Sequence, residues 1–105
     1  MTRIETLIEN IKQWHYDRNL IDGSTDRAQF TKLMEEVLEL HEAIVDVHRY
    51  NDVWVADAIG DIIVVLVNIA ERNGLPIVEC LDTAYNDIKD RKGFMTPDGV
   101  FVKEE

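Results

Sequence analysis

The stretch from Val53 to Ala70 constrains the fold more than any other part of the chain. Val53, Ala56, Ile59, Ile62, Ile63, Val65, Leu66, Val67, Ile69 and Ala70 place apolar groups on almost every side of a helix, which predicts a central, buried one. Residues 62–67 are mostly β-branched and would suit a strand. No turn signal interrupts residues 53–71, however, and strands rarely run so long. The polar residues point the same way. Asp57, Asp61 and Asn68 stand at i, i+4 and i+11, within about 40° of each other on a helix. On a strand, Asp61 and Asn68 would face opposite sides. A helix this apolar must be surrounded by others, so the expected class is all-α.

The remaining chain supplies them. Thr2-Arg3-Ile4-Glu5 is a capping-box start, and Ile4, Leu7, Ile8, Ile11 and Trp14 recur at helical spacing, giving a first helix over about 2–17. Asp22-Gly23 marks a loop. A second helix begins at Thr25 or Asp26 and is expected to continue to about 50. Its stripe of Leu33, Val37, Leu40, Ile44 and Val47 is widened by Met34, Leu38 and Val45 to roughly half the circumference, more than one neighbour needs. The third helix spans about 52–73, closed by Asn73-Gly74, with Pro76 in the first turn of a fourth over about 76–91. Residues 93–105 read as a tail, a tight turn at Pro97-Asp98-Gly99 between short extended segments. One domain over 1–105 is the default.

Composition narrows the partners. Eleven Lys+Arg against 21 Asp+Glu give a net charge of −10. Such a field repels nucleic acid and anionic membranes, so neither is an expected partner. An anionic substrate would need a metal ion or a local basic patch. The single Cys80 suits a reducing cytoplasm, and the uncharged run 62–70 is too short to span a bilayer.

The chemistry lies in carboxylates on two successive helices. Glu35, Glu36 and Glu39 are neighbours on the second, with Glu36 near the border of its apolar arc. Alone they describe a solvated acidic face. Asp57 and Asp61 change that reading, because a carboxylate on an apolar helix without a partner neutralises or costs several kcal/mol. A divalent cation held by oxygens from both helices resolves the cost. The alternative is pairing with Lys or Arg from the first or fourth helix. All-carboxylate ligands favour Mg²⁺, with Mn²⁺ as the other candidate, and Mg²⁺ commonly bridges carboxylates to substrate phosphates. A di-iron bundle needs Glu-x-x-His, whereas His15, His41 and His48 follow Lys12, Leu38 and Val45; these histidines read as packing or surface residues. Gln29 and Lys32 precede the glutamates, and Asn86, Lys89, Arg91 and Lys92 gather near the end of the fourth helix. All could reach phosphate, and Trp14 could stack on a base.

These motifs together resemble the MazG-like all-α nucleoside triphosphate pyrophosphohydrolases. Glu35-Glu36-x-x-Glu39 matches the first family motif and Asp57-Ala58-Ile59-Gly60-Asp61 resembles the second. Residues 84–91 are similar to the Asn/Lys-bearing segment that follows, and Trp14 with Arg18-Asn19-Leu20 resembles the small members. The family's second-motif glutamate would fall at Ala58, so Asp57 is the candidate replacement. The resemblance implies a four-helix, MazG-like bundle that forms homodimers or dimer-of-dimers tetramers. It also implies Mg²⁺-dependent cleavage of a (d)NTP between the α and β phosphates to the monophosphate and pyrophosphate, clearing unwanted nucleotides. Glu36, Glu39 and Asp61 would be metal ligands, with Asp57 a fourth, and Glu35 would ligate or orient water. Two alternatives stand beside this reading: a nucleotide- and metal-binding regulator without turnover, and an acidic helical interaction protein.

Overall fold

The computed structural model describes residues 1–46 and 52–104. Four helices, α1 (Arg3–Asp17), α2 (Asp26–Val45), α3 (Asp52–Arg72) and α4 (Ile77–Ile88), are followed by a hairpin of β1 (Gly93–Met95) and β2 (Phe101–Lys103). The fold is all-α apart from that hairpin. Helix α3 is the hub: α1, α2 and α4 each pack on it, while no two of them pack together among the described residues. It is long and apolar enough to cross a membrane by length and composition. It is central, as expected, but only partly buried: one side meets the other three helices, while Val53, Ile59, Ile63 and Leu66 remain exposed.

The helix boundaries follow from local chemistry. Thr2 accepts from the Glu5 backbone N–H at 3.2 Å, the first half of a capping box, and its hydroxyl donates to the Glu5 side chain at 2.9 Å. Thr25, rather than Asp26, caps α2 by accepting from the Ala28 N–H at 3.0 Å. Asp26 is left free to receive Arg72 Nε at 3.1 Å and the Asn73 amide, tying the start of α2 to the end of α3. Arg72 also donates to the Ile21 carbonyl. Both α1 and α3 close through a left-handed residue, Asn19 (φ 56°) and Gly74 (φ 67°). The next N–H then bonds back five residues, Leu20 to His15 and Leu75 to Ala70, each at 2.9 Å.

Three expectations need correction. Helix α2 ends at Val45, where Asp46 leaves the helix with ψ 96°; residues 47–50 of the expected helix lie outside the described residues. Pro76 is the N-cap of α4 rather than part of its first turn, because its ψ of 135° is extended. Helix α4 stops at Ile88, not Arg91. The tail is the expected turn between extended segments, with Gly93 opposite Lys103 and Met95 opposite Phe101. Gly93 is required there, since a Cβ would strike the Phe101 ring and the Val102 carbonyl.

Among the described residues, helix α2 packs on α3 alone, and Phe30, Leu38 and Ile44 on α2 remain exposed. Buried hydrophobic residues among those described are few and mostly small: Ile21, Ala43, Ala58, Val65, Val67 and Ala70. Helix α4 contributes none.

Candidate metal and nucleotide site

Helix α2 presents Glu36 and Glu39 to α3, which presents Asp61. One oxygen from each lies within 4.8 Å of the others. Glu36 is the buried member, at 6% exposure. Its Oε1 lies 3.2 Å from Lys32 Nζ, while its Oε2 is buried with no hydrogen-bond donor. Close approach to the Glu36 carboxyl, and then its charge, push the Glu39 carboxyl above its ordinary value. Burial raises Asp61 first, reinforced by the negative charges of Asp57 and Glu36. Two carboxyls raised beside Glu36, together with a buried Glu36 oxygen left unsatisfied, make the donor set and the unmet charge that a hard divalent cation fits.

The candidate site residues fall in different places. Asp57 lines a cavity of about 550 Å³ together with Glu39, Glu42 and Asp61, but stands outside the close trio. Ala58 is buried in the same wall. Glu35 is exposed and 3.5 Å from Lys32. A second cavity, of about 360 Å³, opens on the other side of the trio and contains Trp14, Gln29 and Lys32 beside Glu36 and Asp61. The carboxylates therefore sit between an acidic cavity and a largely apolar one that carries a cation and an aromatic ring. Asn86 and Lys89 are not among the residues lining either cavity. Asn86 borders a depression made of α4 residues. Arg91 pairs with Asp87 at 3.2 Å. Within one chain, then, the segment at the end of α4 is not brought to the acids.

Behind the trio is a polar network that sequence reasoning missed. Asn68 is fully buried. Its amide nitrogen donates to the Leu20 carbonyl at 3.0 Å and lies 3.2 Å from His15 Nδ1. His15 Nε2 lies 2.9 Å from the Val64 carbonyl, so Nε2 carries the proton and Nδ1 accepts from Asn68. His15 is a packing residue, as expected, but a hydrogen-bonded one. Trp14 stands edge-on to it, with ring centroids 5.2 Å apart, and Arg18 stacks 4.2 Å over the indole. Asn68 thus fixes the end of α1 and places Trp14 in the wall next to Asp61. The available signal was an asparagine two turns beyond Asp61 on the same face of an apolar helix.

Comparison with known proteins agrees with this geometry. Residues 1–87 match the family model described as phosphoribosyl-ATP pyrophosphohydrolase. The chain belongs to that family, within the MazG-like all-α nucleoside triphosphate pyrophosphohydrolase superfamily. It is also 44% identical over 78 residues to a protein of Haemophilus phage HP1 (strain HP1c1), described as an uncharacterized 18.2 kDa protein in the rep-hol intergenic region. That alignment covers 74% of this chain and 46% of the phage protein, so the chain spans about half the length of this curated relative. No solved structure matches the chain. The family match ends before the hairpin begins.

Proposed function

We propose that the protein is a Mg²⁺-dependent pyrophosphohydrolase that converts nucleoside or deoxynucleoside triphosphates to the monophosphate and pyrophosphate in the cytoplasm. The observation that carries this reading is the convergence of Glu36, Glu39 and Asp61 with Glu36 Oε2 unsatisfied. These three residues would hold the ion, with Asp57 available from the cavity wall. When bound, the ion neutralises phosphate charge and makes water a better nucleophile. Lys32 keeps Glu36 in place and presents its ammonium to the cavity that contains Trp14. Trp14, with one face under Arg18, offers an aromatic surface to a base, and Gln29 offers an amide beside it. Glu35, exposed next to Lys32, would orient water rather than join the close trio.

We also propose that the working form is a homodimer or a dimer of dimers. The Cα radius of gyration is 16.4 Å, where a compact chain of this length has about 13 Å. The accessible surface is 8226 Å² for a mass of 12.1 kDa, against about 6,000 Å² for a folded monomer of that mass. The excess, about 2,000 Å², is of the size that obligate interfaces bury.

The test is a panel of standard and modified NTPs and dNTPs, with phosphoribosyl-ATP included because the matched family carries its name. Pyrophosphate release is measured with Mg²⁺ and with chelator. Release of pyrophosphate from a triphosphate, abolished by chelator and by Glu39→Ala, is expected. Turnover of phosphoribosyl-ATP alone would replace the substrate class. Binding of nucleotide without release would make the protein a regulator.

A further inference from the structure

We propose that Gln29 makes the site select nucleotides whose base carries an exocyclic amine, cytosine over uracil and adenine over hypoxanthine, by offering the base a hydrogen-bond acceptor. The inference rests on the pyrophosphohydrolase reading above and names the substrate class within it. Position comes first. Gln29, Lys32 and Glu36 stand at i, i+3 and i+7 on α2, so they share one face of the helix. All three line the cavity that contains Trp14 and Asp61. At 1.5 Å per residue, Gln29 lies roughly 10 Å along the helix from Glu36, with Lys32 between them. Amide, ammonium and metal-binding carboxylate thus follow one another along the cavity, the order that base, phosphate and metal take in a bound nucleotide.

The Gln29 amide is held by one end. Its Nε2 donates to the Ser24 hydroxyl at 3.0 Å, and its Oε1 has no partner among the described residues. Gln29 is half-buried, so a base that fills the cavity would strip water from that oxygen, and a donor on the base would restore the lost bond. The other polar groups of the cavity are committed elsewhere. Both ring nitrogens of His15 are engaged, one with the Val64 carbonyl and one with the Asn68 amide. Lys32 Nζ lies 3.2 Å from Glu36, which belongs with Asp61 to the carboxylate trio. The Trp14 N–H lies in the plane of its ring, out of reach of a base stacked on the indole face. Leu20, Val64 and Val65 complete an apolar lining. Where cytosine and adenine carry an amine, uracil and hypoxanthine carry an oxygen. The amine donates to Oε1, whereas the oxygen would meet it as a second acceptor and leave both unsatisfied. Ser24 is the positioning residue, because its hydroxyl keeps the amide nitrogen turned away from the base.

The test compares pairs that differ at that edge of the base. Pyrophosphate release gives kcat/KM for CTP against UTP and for ATP against ITP, with Mg²⁺. Tryptophan fluorescence titrations of CMP, UMP, AMP and IMP give the same comparison without turnover. Wild type is expected to favour the amine-bearing member of each pair by about tenfold or more. Gln29→Leu, with its helix content checked by circular dichroism, is expected to bring both ratios close to unity. Ser24→Ala is expected to shrink them by a smaller factor, and it decides the matter if Gln29→Leu does not fold. Equal use of both members by wild type, a preference for the oxygen-bearing ones, or ratios unchanged in either variant overturns the proposal. If no nucleotide releases pyrophosphate while CMP and AMP bind more tightly than UMP and IMP through Gln29, the enzyme reading fails and base selection stands. If pyrophosphate is released with no preference for the amine, base selection alone fails.

Discussion

Lys32 Nζ lies 3.2 Å from Glu36 Oε1, one turn further along α2, while the other oxygen of that buried carboxylate has no donor. The lysine neutralises half of a site whose other half calls for a metal. Its own ammonium is held on by Glu36 first and Glu35 second.

Lys32→Ala should separate its two roles. Loss of a cation that competes for Glu36 should leave Mg²⁺ affinity unchanged or higher, by isothermal titration. Loss of a phosphate contact should raise KM about tenfold, since a charge-assisted hydrogen bond contributes about 1.5–3 kcal/mol. A variant with weaker Mg²⁺ binding and unchanged KM would make Lys32 a scaffold residue.

Asp61→Asn and Asp57→Asn should differ in size. Asp61 belongs to the trio and Asp57 to the exposed wall. Turnover should fall about a hundredfold or more for Asp61→Asn and about tenfold for Asp57→Asn, in the range of outer-shell changes. Without metal, Asp61→Asn should melt a few degrees higher than wild type, because burial and two like charges no longer act on a carboxylate. Equal effects of the two substitutions on Mg²⁺ affinity would place Asp57 among the direct ligands.

The raised carboxyls of Glu39 and Asp61 fix the sign of the pH dependence. A folded-state value above the unfolded one means that the native state binds the extra proton. Metal-free protein should therefore lose stability as pH rises from the ordinary carboxylate range through the raised values. Mg²⁺ affinity should climb over the same window, since the ion competes with those protons. Thermal unfolding with chelator and with Mg²⁺, followed from about pH 4 to pH 7, checks both slopes. Metal-free stability that increases with pH across this window would contradict the assignment.

Asn68→Leu removes the donor to Leu20 and His15 from the interior. Two acceptors left without partners should cost about 2–4 kcal/mol, read as a lower urea midpoint at constant slope. Trp14 fluorescence should shift at urea concentrations below global unfolding, because α1 loses its tie to α3 first. An unchanged midpoint would show that the network is dispensable.

The fold was legible because its signals are local. Capping at Thr2 and Thr25, Gly74 after α3, and the apolar breadth of α3 each point to an element without reference to the rest of the chain. The acidic surfaces were legible for the same reason, since two helices carry acids at helical spacing, but spacing did not separate the close trio from Glu35 and Asp57; that set came from the family resemblance. The end of α2 at Val45 was not, because apolar periodicity continues through Val47 and nothing local marks the extended turn at Asp46. The His15–Asn68 pair was invisible as a pair, because its members are 53 residues apart and meet only through the packing of α1 on α3. Likewise, the distance of Asn86 and Lys89 from the acids depends on how α4 departs from α3, which composition does not encode.

Asn68 joins two walls that have separate jobs. One carries the indole and the loop that would choose a base; the other carries the carboxylates that would handle phosphate. Because a single amide sets their spacing from beneath, residues facing either wall can vary without resetting the other. Under the proposed function, a substitution on the α1 wall would alter substrate choice and leave the carboxylate arrangement in place.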